Sequence, residues 1–370
     1  MRLHLIVGAR PNFIKIAPII HAIHAAQEIG ANISYRLVHT GQHFDKKMSD
    51  SFFHELNIPN PDSNLGCGGG TQAEQTAAIM VAYEKDLVLN PADLVIVVGD
   101  VTSTMACSIV AKKMNTKVAH VEAGIRSFDL TMPEEINRMV TDSITDYFFT
   151  TSETANNNLR KAGIAEKCIF FVGNVMIDTL LENISRFKRP EIWKKENLKK
   201  GNYLIMTLHR PNNVDEEQKF KSLIETIIIN SRNLPIIFPV HPRTLKIIQK
   251  IKLNSQSSQF KFENLRLIEP LGYLEFNYLV KNAKVVITDS GGITEETTVM
   301  GVPCITLRDN TERPETVTMG TNEVIGTNPE GIAPMLKKLF EGKWKKGKIP
   351  PLWDGKTARR IVNAVYNEFS

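Results

Sequence analysis

Cysteine is scarce and scattered. Cys67, Cys107, Cys168 and Cys304 lie far apart, so none of them share a metal-ligand spacing. That excludes a disulfide-built secreted scaffold, and buried thiols in a reducing cytosol are expected. Long apolar runs are missing as well. Leu94–Val98 is typical of the longest, far short of a membrane span. The opening Met1–Gly8 reads as a first buried strand, too short for a signal-peptide core, so a cytoplasmic protein with no membrane partner is expected. Aromatics are 7% of the residues and do not interleave with basic ones at base-stacking spacing, which argues against a nucleic-acid partner. The net charge of +5 suits an anionic small molecule instead, although much of the excess lies in the solvated stretches Lys188–Lys200 and Lys337–Lys348. The GxGxxG fingerprint is also absent. The first turn reads Gly8-Ala9-Arg10-Pro11-Asn12, so no dinucleotide cofactor is expected.

What is present is a regular alternation of strand and helix patterns. With 370 residues, 42% hydrophobic and 23% charged, the chain is an ordinary globular protein with room for two domains. Leu3–Val7, Tyr35–His39, Leu94–Val98, Val118–Val121, Tyr147–Thr150 and Ile169–Val172 read as strands, with helices between them. Asn64–Gly70 reads as a glycine-rich loop, and the charged Arg186–Lys200 stretch as a hinge. The pattern then resumes through Tyr203–Thr207, Ile236–Pro239, Leu265–Ile268, Val285–Thr288 and Cys304–Leu307. Two successive α/β units imply two Rossmann-like domains facing a cleft. The boundaries read as residues 1–174 and 175–356, with a final helix over 357–370 returning to the first domain.

Function-bearing residues cluster just past the strand ends, where open α/β sheets bind ligands. The stretch His120–Arg138 runs from an apolar strand into Glu122, then through Arg126 and Asp129 to Pro133, which opens a helix carrying Glu134, Glu135 and Arg138. Glu122 and Glu134 read as functional, whereas Glu135 reads as an ordinary solvated helix-start acid. Asp100 closes another apolar strand. Arg10 and Lys15 lie where a phosphate could be reached. In the second half, Thr288-Asp289-Ser290-Gly291-Gly292 leads from a strand into a helix, an arrangement that offers free N–H groups to an anion. Glu296, one turn further on, suits the two hydroxyls of a ribose. His209 with Arg210, His241 with Arg243, and Arg313 stand after neighbouring strands.

Nine segments carry a resemblance: GARPNFIKIAP, TGQH, VVGDVTST, HVEAGIRS, MPEEINR, VGNVMIDTL, HRPNNVD, TDSGGITEE and RDNTERPE. In this order, and over nearly the whole chain, they resemble the bacterial, non-hydrolysing UDP-N-acetylglucosamine 2-epimerases. The resemblance implies the B-type glycosyltransferase (GT-B) architecture. It implies Asp100, Glu122, Glu134 and His209 as catalytic residues. It places uracil by Phe276, ribose on Glu296, and phosphates on Ser290, Gly291 and Gly292, approached by Arg10 and Lys15. Arg138, His241 and Arg313 complete the sugar-side pocket, and Gln42, His43 and Arg210 match part of an activator site. The loop at Gly66–Gln75 departs from the family by lacking a basic residue that some members use there. A homodimer and a role in surface polysaccharide synthesis are also implied.

The chemistry explains the residue types. The hydrogen at carbon 2 is not next to a carbonyl, so its direct removal leaves an unstabilised carbanion. Loss of UDP from carbon 1 develops positive charge there and acidifies that hydrogen. A base then takes the proton, a glycal forms, and UDP re-adds while a proton is delivered to the opposite face. Acids divide the proton transfers, and cations with a helix N-terminus stabilise the leaving diphosphate, without metal or organic cofactor. Rivals are a hydrolysing epimerase that releases N-acetylmannosamine, an epimerase of a UDP-diacetamido-uronic acid with Arg126 meeting the extra carboxylate, a GT-B glycosyltransferase, and a nucleotide-sugar binding protein.

Overall fold

The computed structural model describes residues 1–41, 53, 55–240, 244–248 and 263–369. The chain divides into two compact units, Met1–Glu182 with Pro351–Ser370, and Asn183–Pro350.

The first unit holds strands β1 (Arg2–Val7), β2 (Ser34–His39), β3 (Ser63–Asn64), β4 (Leu94–Val98), β5 (Lys117–Val121), β6 (Tyr147–Thr150) and β7 (Ile169–Phe171). They form one sheet in the order β3-β2-β1-β4-β5-β6-β7, and every pairing is parallel. β4 is buried along its whole length, as its continuous LVIVV run demands when helices cover both faces. β3 begins where the sequence pattern reads as loop; its two residues pair with the end of β2. The chain works outward from β1 and then crosses back to β4, so the strand order reverses between these two. Such a switch point leaves a crevice at the carboxyl ends of its strands.

The Thr357–Phe369 helix belongs to this unit. Its apolar face, Ala358, Ile361, Val362 and Val365, is buried. Its first turn is capped from a distance: Asp178 Oδ2 accepts the Ala358 N–H at 2.7 Å. Burial pushes the Asp178 carboxyl up to about 6, although those amides pull the other way. The Trp353 indole donates to Thr151 O at 3.0 Å. Thr179 Oγ1 donates to Ile14 O at 2.6 Å, so the Val175–Asn183 helix is fastened to the first unit. The boundary drawn from sequence after residue 174 accordingly falls after Glu182.

The second unit holds β8 (Leu204–Thr207), β9 (Ile236–Pro239), β10 (Leu265–Ile268), β11 (Val285–Thr288), β12 (Cys304–Thr306) and β13 (Asn322–Val324). The order β10-β9-β8-β11-β12-β13 repeats the parallel plan, with its switch point between β8 and β11. Its core packs Leu204, Met206, Phe238 and Ile287 against Phe220, Ile224 and Ile227 of the Glu217–Asn230 helix and Leu336 of the Ile332–Phe340 helix. Burying each such side chain contributes about 1.5–3 kcal/mol. Both sheets are of the Rossmann type, and the architecture is GT-B.

Candidate active site

At the first switch point, the turn after β1 is held down by one asparagine. Asn12 Oδ1 accepts the Gly8 and Ala9 amides at 3.1 and 2.9 Å, and its Nδ2 donates to Val98 O at the end of β4. Gly8 has no alternative there, because a Cβ would come within 2.0 Å of Ser103 Oγ. Arg10 opens the Arg10–Glu28 helix. One turn on, the buried Lys15 places Nζ 2.6 Å from Glu122 Oε2. Glu122 sits just past β5 with φ 71°, an uncommon conformation for a side-chain-bearing residue and one that collects at functional sites. Gly99, φ 68°, passes beneath this pair; a Cβ would lie 2.8 Å from Lys15 Nζ. A residue expected on phosphate and one expected to be catalytic are thus ion-paired.

Asp100 follows, partly open to solvent. Arg138 Nη2 reaches its Oδ2 at 2.5 Å, and Arg138 Nη1 reaches Glu135 Oε2 at 2.7 Å. Asn137 Nδ2 adds a bond to Asp100 O at 2.8 Å. Glu135 is not the solvated helix-start acid read from sequence. It is buried and accepts Ser127 N, Ser127 Oγ and Phe128 N as well as Arg138. Those bonds and the Arg138 charge overcome the cost of burial and hold its carboxyl below the ordinary range. Glu134, its neighbour, is exposed. Arg126 Nη1 is engaged with buried Asp142 at 2.6 Å.

At the second switch point, Asp289 is the hub. It is fully buried just past β11 and accepts the His209 and Arg210 amides at 3.0 and 2.9 Å and Asn213 Nδ2 at 3.1 Å. The His209 ring lies above it, with Nδ1 2.7 Å from Asp289 Oδ1. Burial would push the Asp289 carboxyl up, but His209 and these donors hold it low. Ser290 is the N-cap of the Gly291–Met300 helix, whose first-turn N–H groups lack intrahelical acceptors. Gly291 lies beside the Arg308–Glu312 pair, bidentate at 2.7 and 2.7 Å. Glu295 and Glu296 point to different partners. Glu295 accepts Arg313 Nε, while Glu296 accepts Tyr273 Oη at 2.9 Å and Asn277 Nδ2 at 3.3 Å. Burial raises the Glu296 carboxyl to about 7 despite these donors. Phe276 stands on the same Tyr273–Asn282 helix, half-buried. Arg210 Nε donates to Asp289 O at 3.0 Å.

Each switch point therefore collects most of its expected residues: Lys15, Asp100, Glu122 and Arg138 in the first unit; His209, Ser290, Gly291, Gly292, Glu296 and Arg313 in the second. Gln42, His43 and His241 lie outside the described residues. Sequence reasoning passed over Asp289 as a hub, Tyr273 and Asn277 as partners of Glu296, and Glu295 as the partner of Arg313. An acid directly after a strand was the available signal for Asp289; for the others no local signal exists, because each acts across elements.

Known proteins match the chain along nearly its whole length. The family model for UDP-N-acetylglucosamine 2-epimerase matches residues 25–366. The chain belongs to the UDP-N-acetylglucosamine 2-epimerase family. Within that family, the Methanocaldococcus jannaschii UDP-N-acetylglucosamine 2-epimerase is 44% identical over 98% of both chains. The crystal structure of the M. jannaschii enzyme in complex with UDP-GlcNAc and UDP superimposes with a TM-score of 0.87 at 43% identity, covering 99% of this chain and 100% of that one. A Pseudomonas aeruginosa UDP-2,3-diacetamido-2,3-dideoxy-D-glucuronate 2-epimerase is 37% identical over 88% of each chain. Among the described residues, no helix is long and apolar enough to cross a membrane.

Proposed function

We propose that this chain interconverts UDP-N-acetylglucosamine and UDP-N-acetylmannosamine by loss and re-addition of UDP through a glycal, and retains the nucleotide-sugar product. The carrying observation is the first switch point, where two carboxylates, Glu122 and Asp100, are each joined to one cation, Lys15 and Arg138. Fixed carboxylates beside fixed cations suit proton transfer at a carbon next to developing positive charge. Asp100, Glu122 and Glu134 divide the base and acid roles. His209, held through Nδ1 by Asp289, presents its other ring nitrogen to the reaction. Ser290, Gly291 and Gly292 bind the diphosphate, with Arg10, Lys15 and Arg313 stabilising its charge. Glu296 takes the ribose and Phe276 the uracil, while Arg138 and His241 serve the sugar side.

The protein works in the cytoplasm, consistent with buried free thiols at Cys67, Cys107 and Cys304, and feeds surface polysaccharide synthesis. A homodimer is supported by apolar residues that the first unit leaves exposed on and before the Pro133–Ile144 helix: Phe128, Leu130, Ile136 and Met139. The diacetamido-uronate reading is favoured by the Pseudomonas relative. It requires a cation for the extra carboxylate, and Arg126 is paired elsewhere.

Proton NMR of the protein with UDP-N-acetylglucosamine in heavy water, without added cofactor, tests the reading. UDP-N-acetylmannosamine should appear as the carbon-2 proton is lost to solvent. Free N-acetylmannosamine with stoichiometric UDP would place the chain among hydrolysing enzymes, and no exchange would exclude this substrate.

A further inference from the structure

His120 is fully buried on β5, and both of its ring nitrogens face acceptors. Nδ1 lies 2.7 Å from Asp142 Oδ1, and Nε2 lies 2.8 Å from Gly99 O. A carbonyl has no hydrogen to give, so Nε2 must carry one. Asp142 has none to spare either: its other oxygen accepts Gly124 N at 3.0 Å and pairs with Arg126 at 2.6 Å. Burial would push the Asp142 carboxyl up, yet His120 and Arg126 beside it hold it below the ordinary range. His120 therefore links a buried carboxylate on one side to the Gly99 carbonyl on the other.

Register neighbours on the flanking strands are Val97 of β4 and Phe148 of β6. The buried face of the Thr102–Lys113 helix carries only Cys107 among titratable groups. The Pro133–Ile144 helix contributes Asp142, and the loop after β5 contributes Arg126.

We propose that His120, held between the Asp142 carboxylate and the Gly99 carbonyl, is a positioning residue for Asp100. The Gly99 carbonyl that it grips belongs to the left-handed turn directly before Asp100, and its own strand leads into Glu122. One side chain thus ties the backbone of both carboxylates that the proposed reaction uses. The inference rests on that reading for its catalytic consequence, but not for the hydrogen bonds themselves.

The direct test needs no active-site variant. In ¹⁵N-histidine-labelled protein, one buried ring should show a slowly exchanging Nε2–H at neutral pH, the hydrogen donated to the Gly99 carbonyl. His21 also faces two acceptors, Glu182 and Asn57 O, but it is solvent-accessible, and H21N removes its signal from the comparison. Absence or fast exchange of that N–H would overturn the link to Gly99. Kinetics test the positioning role separately. H120F should lower kcat by about tenfold or more with UDP affinity within about twofold of wild type, and H120Q, which restores a donor, should recover part of it. Wild-type kcat in H120F, or an equal loss of UDP affinity, would overturn the role. If the NMR signature holds while no carbon-2 exchange occurs with any UDP-sugar, the functional reading fails and the link from His120 to Gly99 stands.

Discussion

His209 Nδ1 lies 2.7 Å from Asp289 Oδ1, while the His209 side chain remains 59% exposed. The buried partner fixes the tautomer, with the hydrogen on Nδ1, and leaves Nε2 as the working nitrogen. The same carboxylate also accepts the backbone amides of His209 and Arg210, so ring and loop share one anchor. D289N should lower kcat by about a hundredfold, the scale of a misdirected acid–base group. Steady-state kinetics beside a UDP titration check this; unchanged kcat would show that the dyad does no catalytic work.

Glu134 and Glu135 are adjacent in sequence and opposite in role. Glu135 is buried among Ser127, Phe128 and Arg138, so E135Q should cost about 1–3 kcal/mol by leaving those donors poorly matched. Glu134 is exposed, so E134Q should stay within about 0.5 kcal/mol of wild type. E134Q should nevertheless slow carbon-2 exchange at least tenfold, a scale set by acid–base catalysis. Chemical denaturation and exchange NMR on both variants separate the two roles.

Gly99 carries φ 68° and leaves only 2.8 Å between a would-be Cβ and Lys15 Nζ. G99A should destabilise the protein by about 1–3 kcal/mol through backbone strain and displace the Lys15–Glu122 pair. A lowered Tm together with lost activity is the expected result. Lost activity at an unchanged Tm would mean that the turn tolerates the strain.

Burial raises two second-unit carboxyls, Glu296 and Glu315, to about 7. Among the described residues, neither Glu315 oxygen has a hydrogen-bond partner. Raised acids bind protons in the folded state that the unfolded chain has already released. Their stabilisation is complete below the unfolded carboxyl pKa of about 4.5 and is lost as pH rises through about 7. E315Q, which mimics the protonated acid, should therefore gain stability relative to wild type as pH rises from about 5 to 8. Tm measured against pH on both proteins decides it; parallel curves would mean that Glu315 does not titrate there.

The final helix depends on one distant cap. D178A removes the acceptor for Ala358 N–H and should cost about 0.5–2 kcal/mol, detectable by denaturant titration. Loss of hydrogen-exchange protection should concentrate in Thr357–Phe369.

The sequence by itself determined most of the elements and where the candidate site residues stand relative to them. β4 and β11 announce themselves as short apolar runs, because helices cover both faces of a parallel sheet. Asp100, Glu122, His209 and Ser290 could be placed because each stands within two residues of a strand's end, and strand ends form the crevice of a doubly wound sheet. The pairings were decided only by tertiary structure. Lys15 meets Glu122 across 107 positions, and His209 meets Asp289 across 80. Glu135 became a buried organiser and Arg126 a structural cation because of what folded beside them. Local pattern records whether a residue lies on a strand, a helix or a turn. Hydrogen-bond partners and the dielectric around a charge depend on elements brought together from far along the chain, and no spacing within a motif encodes those.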